Sequence, residues 1–457
     1  MSARSKRIDM CNGPIFINVI RYTLPIICTS VLQLLFNAAD LVIVGRFCGS
    51  NSVAAVGGTS SLINLIVNLF IGLSIGVSVS VANAIGAKDD EKISKIVHTA
   101  VPLACICGII LTFLGFTLAP PILHAMGIPD DILSLSVLYT RIYFCGMVPS
   151  LVFEFSAAIF RASGDTQTPF KYLSLAGIIN VCLNVFFVTV IDLDVAGVAT
   201  ATVIAQVTSC VLMVITLARR NDILKLDFKK LHIHRQEFLK IVKIGLPSGL
   251  QSSVFSFSNV IIQSSVNSFG AVAMAGNAAA QNIEGFVYVT MNAFHQTSLN
   301  YTGQNIGAKK PKRILKAFII NSICVTAISL IDISVVFAFK TQLLSLYITD
   351  SPASIDFGIK RMSYICLFYF LCGIYETVNG AVRGMGYSFV SMIIAVSGVC
   401  GVRIVWIFTI FKAYHTLDSL YISYPISWIA CIIALLVAFV VIYNKLKKRL
   451  TSCESTT

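Results

Sequence analysis

Long apolar runs alternate with short polar connections along the whole chain. Each run is long enough, at about 20 residues, to cross the hydrocarbon core of a bilayer as a helix. Twelve such runs predict transmembrane helices near 15–44, 52–82, 93–117, 134–157, 168–190, 195–218, 241–267, 275–302, 314–338, 358–380, 388–411 and 420–443. The longest polar stretch, 219–243, separates them six and six. The pattern therefore predicts an all-α integral membrane protein with an N-terminal six-helix bundle over 1–217, a linker over 218–240 and a C-terminal six-helix bundle over 241–457.

The two halves repeat one another at an offset of 221 to 222 residues. The segment from Ile85 to Lys88 recurs from Ile306 to Lys309, and Leu24 and Pro25 recur as Leu246 and Pro247. Glu154 and Arg161 recur as Glu376 and Arg383. Six spans return the chain to the side it started from, so the duplicated unit keeps its orientation. Parallel repeats of this kind place a substrate cavity at the interface between halves.

Composition agrees with the pattern. Only 12% of the residues are charged and 56% are hydrophobic, against about 25% charged in a soluble domain, which excludes a soluble globular protein. A net charge of +13 would suggest nucleic acid in a soluble chain, but the cations crowd onto alternate connections. They fill the N-terminus (Arg4, Lys6, Arg7), the 86–95, 161–171, 219–243 and 307–316 loops, Arg383 and the tail from Lys445 to Arg449. The opposite connections hold only Arg46, Lys340, Lys360, Arg361 and Lys412. The positive-inside rule then puts both termini in the cytoplasm. No nucleic-acid partner is expected. The fourteen cysteines lie mostly inside apolar runs without a CxxC pair and read as small buried hydrophobes. The first apolar run is broken by Asn18 and Arg21, so it is not read as a removed signal peptide.

Chemistry is expected where polar groups interrupt the apolar spans. A carboxylate at the bilayer centre costs about 2.5 to 3.5 kcal/mol and marks a site with a partner. Asp40 is such an acid. Gln33, Asn37 and Asp40 share one face of span 1, Asn180 and Asn184 form an i, i+4 pair on span 5, and Thr202 follows on span 6. A carboxylate, amide oxygens and a hydroxyl suit one hard cation such as Na+, and a desolvated carboxylate can load and release a proton. The alternative is that the amides only tie helices together. At offset 222 Asn37 maps onto Asn259 but Asp40 maps onto Ile262, so the acid belongs to the first half alone.

In the second half a polar stripe runs through Ser252, Ser256, Asn259, Gln263 and Asn267 on span 7, and another through Asn277, Gln281, Glu284, Tyr288, Asn292, Gln296 and Asn300 on span 8. Stripes of this kind suit a water-filled cavity. Glu284 is a second candidate titrating acid. Glu154 and Glu376, each seven residues before an arginine, are read as a shared structural or gating pair. Within the spans only Arg21, Arg141 and Arg403 are expected as cations. Tyr139, Tyr143, Tyr288 and Phe294 are candidates for cation–π contact with a lipophilic cation. Pro25 and Pro247 can permit bending or simply fix a kink. Gly72, Ser74 and Gly76 spell GxSxG inside a continuous apolar helix, where small-residue packing is the reading rather than a nucleophile elbow. No catalytic motif appears, so no enzyme is expected. With no GxxxxGK[ST] loop and no connection beyond roughly 25 residues, the chain has no ATP-binding domain of its own, and an ion gradient must supply the energy.

These segments carry a family resemblance. The stretches LPIICTSVLQLLFNAADLVIVGR, GLSIGVSVSVANAIGAKDDEK and FRASGDTQTP, with their second-half partners GLPSGLQS, GQNIGAKKPKR and RGMG, resemble the multidrug and toxic compound extrusion (MATE) family, in particular its DinF-like branch. The resemblance covers essentially the whole chain. It implies two pseudo-symmetric six-helix bundles in a multi-pass bacterial inner-membrane protein, acting as a monomer among membrane lipid. It implies export of drug-like, cationic or amphiphilic small molecules in exchange for H+ or Na+, without a cofactor. Asp40 matches that branch's coupling residue, with Asn37, Asn180, Asn184 and Thr202 around it. Some members carry an acid at the position of Asn184, so this site has one carboxylate fewer, and the choice between proton and sodium stays open. Gln33, Glu284, Glu376, Asn259 and Gln281 are the secondary candidates. The rival readings are a lipid-linked saccharide flippase of the same superfamily and a passive channel.

Overall fold

The computed structural model describes residues 7–348 and 351–454. Arg4 and Lys6 of the basic N-terminus lie outside the described residues. Every regular element among the described residues is helical. The first half carries α1 (Ile15–Phe47), α2 (Ser50–Ala87), α3 (Asp90–Ala125), α4 (Asp130–Cys145), α5 (Met147–Ala162), α6 (Gln167–Thr189) and α7 (Asp194–Ala218). The second half carries α8 (Arg235–Asn267), α9 (Ala271–Gly307), α10 (Pro311–Ala338), α11 (Lys340–Ser345), α12 (Pro352–Ile365), α13 (Tyr369–Gly384), α14 (Ser388–Ala395), α15 (Val402–Trp406), α16 (Leu417–Tyr421) and α17 (Ser423–Glu454).

Among the described residues nine helices are long and apolar enough to cross a membrane, and α4 with α5, bent by 47° at their junction, makes a tenth. The remaining two of the twelve expected spans, α8 and α9, are 33 and 37 residues long. They fall outside that set because serine, asparagine and glutamine occupy positions that the other helices fill with apolar side chains.

Contacts divide the chain into one unit of Met1–Ile8 with Cys28–Gly249 and another of Asp9–Ile27 with Leu250–Thr457. The division therefore falls inside α1 and α8 rather than at the polar 218–240 linker, and its two positions are again 222 residues apart, at 28 and 250. Packing explains why. In the first unit Gly72 and Gly76 of α2 lie directly against Gly245 and Gly249 of α8. A Cβ on Gly72 would come within 2.2 Å of the Gly249 amide nitrogen, and one on Gly76 within 2.2 Å of the Ile241 carbonyl. Small residues four apart let two helix backbones meet, which confirms the packing role read for the GxSxG stretch. The linker also belongs here, because Thr99 on α3 accepts from the His234 amide at 3.1 Å. In the second unit, the start of α1 is tied to α9. Asn300 Nδ2 donates to the Tyr22 hydroxyl at 3.0 Å, and the Thr23 and Thr297 hydroxyls are 2.8 Å apart. Pro25 and Pro247 lie two residues before Ile27 and Gly249, where each removes one helix hydrogen bond.

Candidate functional site

In the first unit, α6 buries a stripe of Ala176, Gly177, Asn180, Asn184 and Val188 at helical spacing. The short connection through Asp192, which adopts a left-handed backbone with φ 61°, turns the chain back so that α7 runs antiparallel beside α6. Asn180 Nδ2 then donates to Thr202 Oγ1 at 3.2 Å, and Thr202 Oγ1 donates to the Val198 carbonyl at 3.0 Å. Gly177 admits α1 to the same stripe. A Cβ at Gly177 would sit 1.7 Å from the Phe36 ring, so only glycine leaves room for that ring. Asp40 lies one turn beyond Phe36 on the same face of α1. Its Oδ1 accepts a short hydrogen bond from Asn184 Nδ2, which also reaches Asn180 Oδ1 at 3.3 Å.

The structure thus joins Asp40, Asn184, Asn180 and Thr202 in one hydrogen-bonded chain. No cation pairs with Asp40 among the described residues. Asn184 is fully buried, and its Oδ1 has no hydrogen-bond partner. An orphaned buried acceptor costs about 1 to 3 kcal/mol. Tyr139 and Tyr143 stack with ring centroids 6.1 Å apart and lie within electrostatic reach of Asp40. Gln33 and Asn37 share the face of Asp40 in the sequence, but both are exposed and make no hydrogen bond among the described residues.

The second unit holds its acids differently. Glu284 accepts from Arg361 at both oxygens, at 2.9 and 2.7 Å, and Arg361 also donates to Asn277 Oδ1 at 2.7 Å. Asn277 further joins Gln263 at 3.0 Å and the Tyr421 hydroxyl at 3.1 Å. Arg361 is only 2% exposed, which corrects its reading as a loop cation. The expected span 358–380 already enclosed it, and the acid one helix away is the signal that should have drawn it inward. Arg383 is likewise buried, donating to Gln251 Oε1 at 2.6 Å and Ser391 Oγ at 3.3 Å. Asn259 and Gln281 are exposed and make no hydrogen bond among the described residues.

The repeated glutamates part company. Glu154 pairs with Arg161 at 3.4 Å. Glu376 instead meets His295 Nδ1 at 3.0 Å and accepts from the Tyr288 hydroxyl at 3.3 Å. His295 was not singled out by sequence because a single imidazole in an apolar helix carries no spacing signal.

Comparison with known proteins agrees with this architecture. The family model described as MatE matches the chain twice, over residues 25–186 and 247–409, two matches that begin 222 residues apart. The probable multidrug resistance protein YoeA of Bacillus subtilis is 24% identical over 88% of this chain and 89% of its own. The multidrug export protein MepA of Staphylococcus aureus is 20% identical over 96% of each chain. A crystal structure of MATE in the bent conformation superposes with a TM-score of 0.86 over 99% of both chains at 21% identity. The chain carries the family unit in both halves and belongs to the MatE family, the multidrug and toxic compound extrusion transporters of cell membranes.

Proposed function

We propose that the protein is a secondary antiporter that exports drug-like, cationic or amphiphilic small molecules in exchange for H+ or Na+ by alternating access, with Asp40 as the coupling group. The observation that carries this reading is the pairing of Asp40 with Asn184 while the buried Asn184 Oδ1 stays without a partner. A proton on Asp40 neutralises a carboxylate that only a neutral amide supports. A sodium ion fits the same oxygen set, with Asp40 as its one carboxylate and Asn180, Asn184 and Thr202 as neutral ligands. Either ion moves the bundle only by binding one access state more tightly than the other. One charge crossing 100 mV supplies about 2.3 kcal/mol, enough for a substrate gradient of about fifty-fold.

The second reading is a flippase for a lipid-linked saccharide. It needs a cluster of unpaired cations for a pyrophosphate, and of the three buried arginines among the described residues of the second unit Arg361 is spent on Glu284 and Arg383 on Gln251 and Ser391, which leaves Arg403 alone. Dye export from proteoliposomes tests the proposal. Export should stop when the ion gradient is collapsed and in Asp40→Asn, and omitting sodium at fixed pH decides between the two ions. Gradient-independent flux would point to a channel, and unchanged coupled export by Asp40→Asn would remove that residue from the mechanism.

A further inference from the structure

Arg403 is the one buried arginine of the second unit that the contacts above leave unexplained. It is 5% exposed and lies within the membrane-spanning segment 388–411. That segment changes from α-helix to π-helix at Val396–Gly401 and again at Ile407–Phe411, so that the five residues of α15 carrying Arg403 lie between two wide turns. Single π turns are rare and recur at functional sites. Gly398 in the first of them packs on α17, where a Cβ would come within 2.3 Å of Cys431 Sγ. The close approach presents Arg403 to one face of α17, formed by Tyr424, Ser427 and Trp428 at i, i+3 and i+4. Arg403 Nε donates to Ser427 Oγ at 2.9 Å, and its guanidinium carbon sits 4.0 Å from the Tyr424 ring centroid and 5.8 Å from that of Trp428. Trp428 is itself held against Tyr369, with centroids 5.5 Å apart.

This aromatic cradle fixes the guanidinium without neutralising it. No carboxylate lies within ion-pair distance of Arg403 among the described residues. Its two terminal nitrogens make no hydrogen bond among the described residues, yet they are not sealed away. A purely structural tie would be made more cheaply by an apolar side chain, because aromatic faces return only part of the cost of burying a charge. Arg361, with the same aromatic neighbour at 5.6 Å, shows what a satisfied arginine in this unit looks like.

We infer that Arg403 is the anchor of an anion-accepting subsite in the second unit, where the free edge of the guanidinium takes the acidic group of an amphiphile as a carboxylate, sulfonate or phosphate. The guanidinium edge offers parallel N–H donors that match such groups in pairs. The inference rests on the efflux reading only for the statement that this amphiphile is cargo, and it extends the cargo to molecules bearing an acid.

Rhodamine 6G, a cationic ester, and rhodamine 19, its free acid, differ by one ionised carboxylate and test the subsite by fluorescence anisotropy on purified protein in neutral detergent. Wild type should bind the free acid about tenfold tighter than the ester, and Arg403→Gln should bind both alike with ester affinity unchanged. Arg403→Lys should keep part of the preference. Equal wild-type affinities for the two dyes, or a full preference retained by Arg403→Gln, would overturn the proposal. Should both variants fail to fold, equal wild-type affinities for the two dyes still overturn the proposal. Added phosphatidylglycerol separates the sources: loss of the preference at equimolar lipid assigns the site to an anionic headgroup, and its persistence assigns it to a soluble amphiphile. Gradient-driven export of the ester is read separately, so failure of the efflux reading leaves the binding result standing.

Discussion

Asp40 in the first unit rests on a chain of amides with no cation against it, whereas Glu284 in the second is gripped at both oxygens by Arg361. Both are acids in helices of one repeated family unit, Asp40 partly buried and Glu284 fully so. The difference lies in what supports each carboxylate. A carboxylate held at both oxygens by a fixed guanidinium is tied to its partner. A carboxylate held by a neutral amide can give up or accept a charge without breaking its support, which is what a coupling site requires.

The sharpest way to break this contrast is to remove the guanidinium. Arg361→Ala leaves Glu284 buried without its partner and should destabilise the protein by about 3 to 5 kcal/mol. The double replacement Arg361→Met with Glu284→Leu should recover most of that loss in thermal unfolding in detergent, and equal damage from the single and double variants would contradict the ion-pair account. Next in size is Gly177→Ala, whose methyl group meets the Phe36 ring. Overpacking of this kind costs about 1 to 3 kcal/mol. It should weaken coupled export as α1 is pushed off α6, and Phe36→Leu in the same chain should restore both readouts.

Thr202→Val removes the hydroxyl that receives Asn180 and should cost about 1 kcal/mol. Its export rate should fall without loss of the dependence on the gradient, and a complete loss of coupling would promote Thr202 to the ion site proper. The smallest stability effect is expected from Asp40→Asn, within about 0.5 kcal/mol of wild type, as a neutral amide replaces a neutral-supported acid. That near-silence, measured in the same melt that collapses Arg361→Ala, would separate a coupling acid from a structural one.

Much of this arrangement was legible in the residues themselves. The pair Asn180 and Asn184, the acid Asp40 and Thr202 stood out because polar atoms in an apolar helix are costly, and the structure brings the four together. Gln33 and Asn37 share a face with Asp40 by spacing, but helical spacing fixes only the face and not what lies opposite it. Glu376 was read with Arg383 because the two repeat Glu154 and Arg161. The fold pairs Glu376 with His295 instead and gives Arg383 to Gln251, choices set by which helix packs alongside.

The sequence by itself determined the helical class, the membrane setting, the duplication at offset 222 and the acid of the first half, because each follows from local composition or from self-comparison along the chain. Only the tertiary structure decided that α1 and α8 each divide between units, that Arg361 and Arg383 are buried, and that Arg403 lies in an aromatic cradle between two π turns. Hydrophobic patterning is read one helix at a time, whereas the partner of a buried charge is set by close approaches such as Gly177 to Phe36 and Gly398 to Cys431, where a single absent methyl group determines which faces meet.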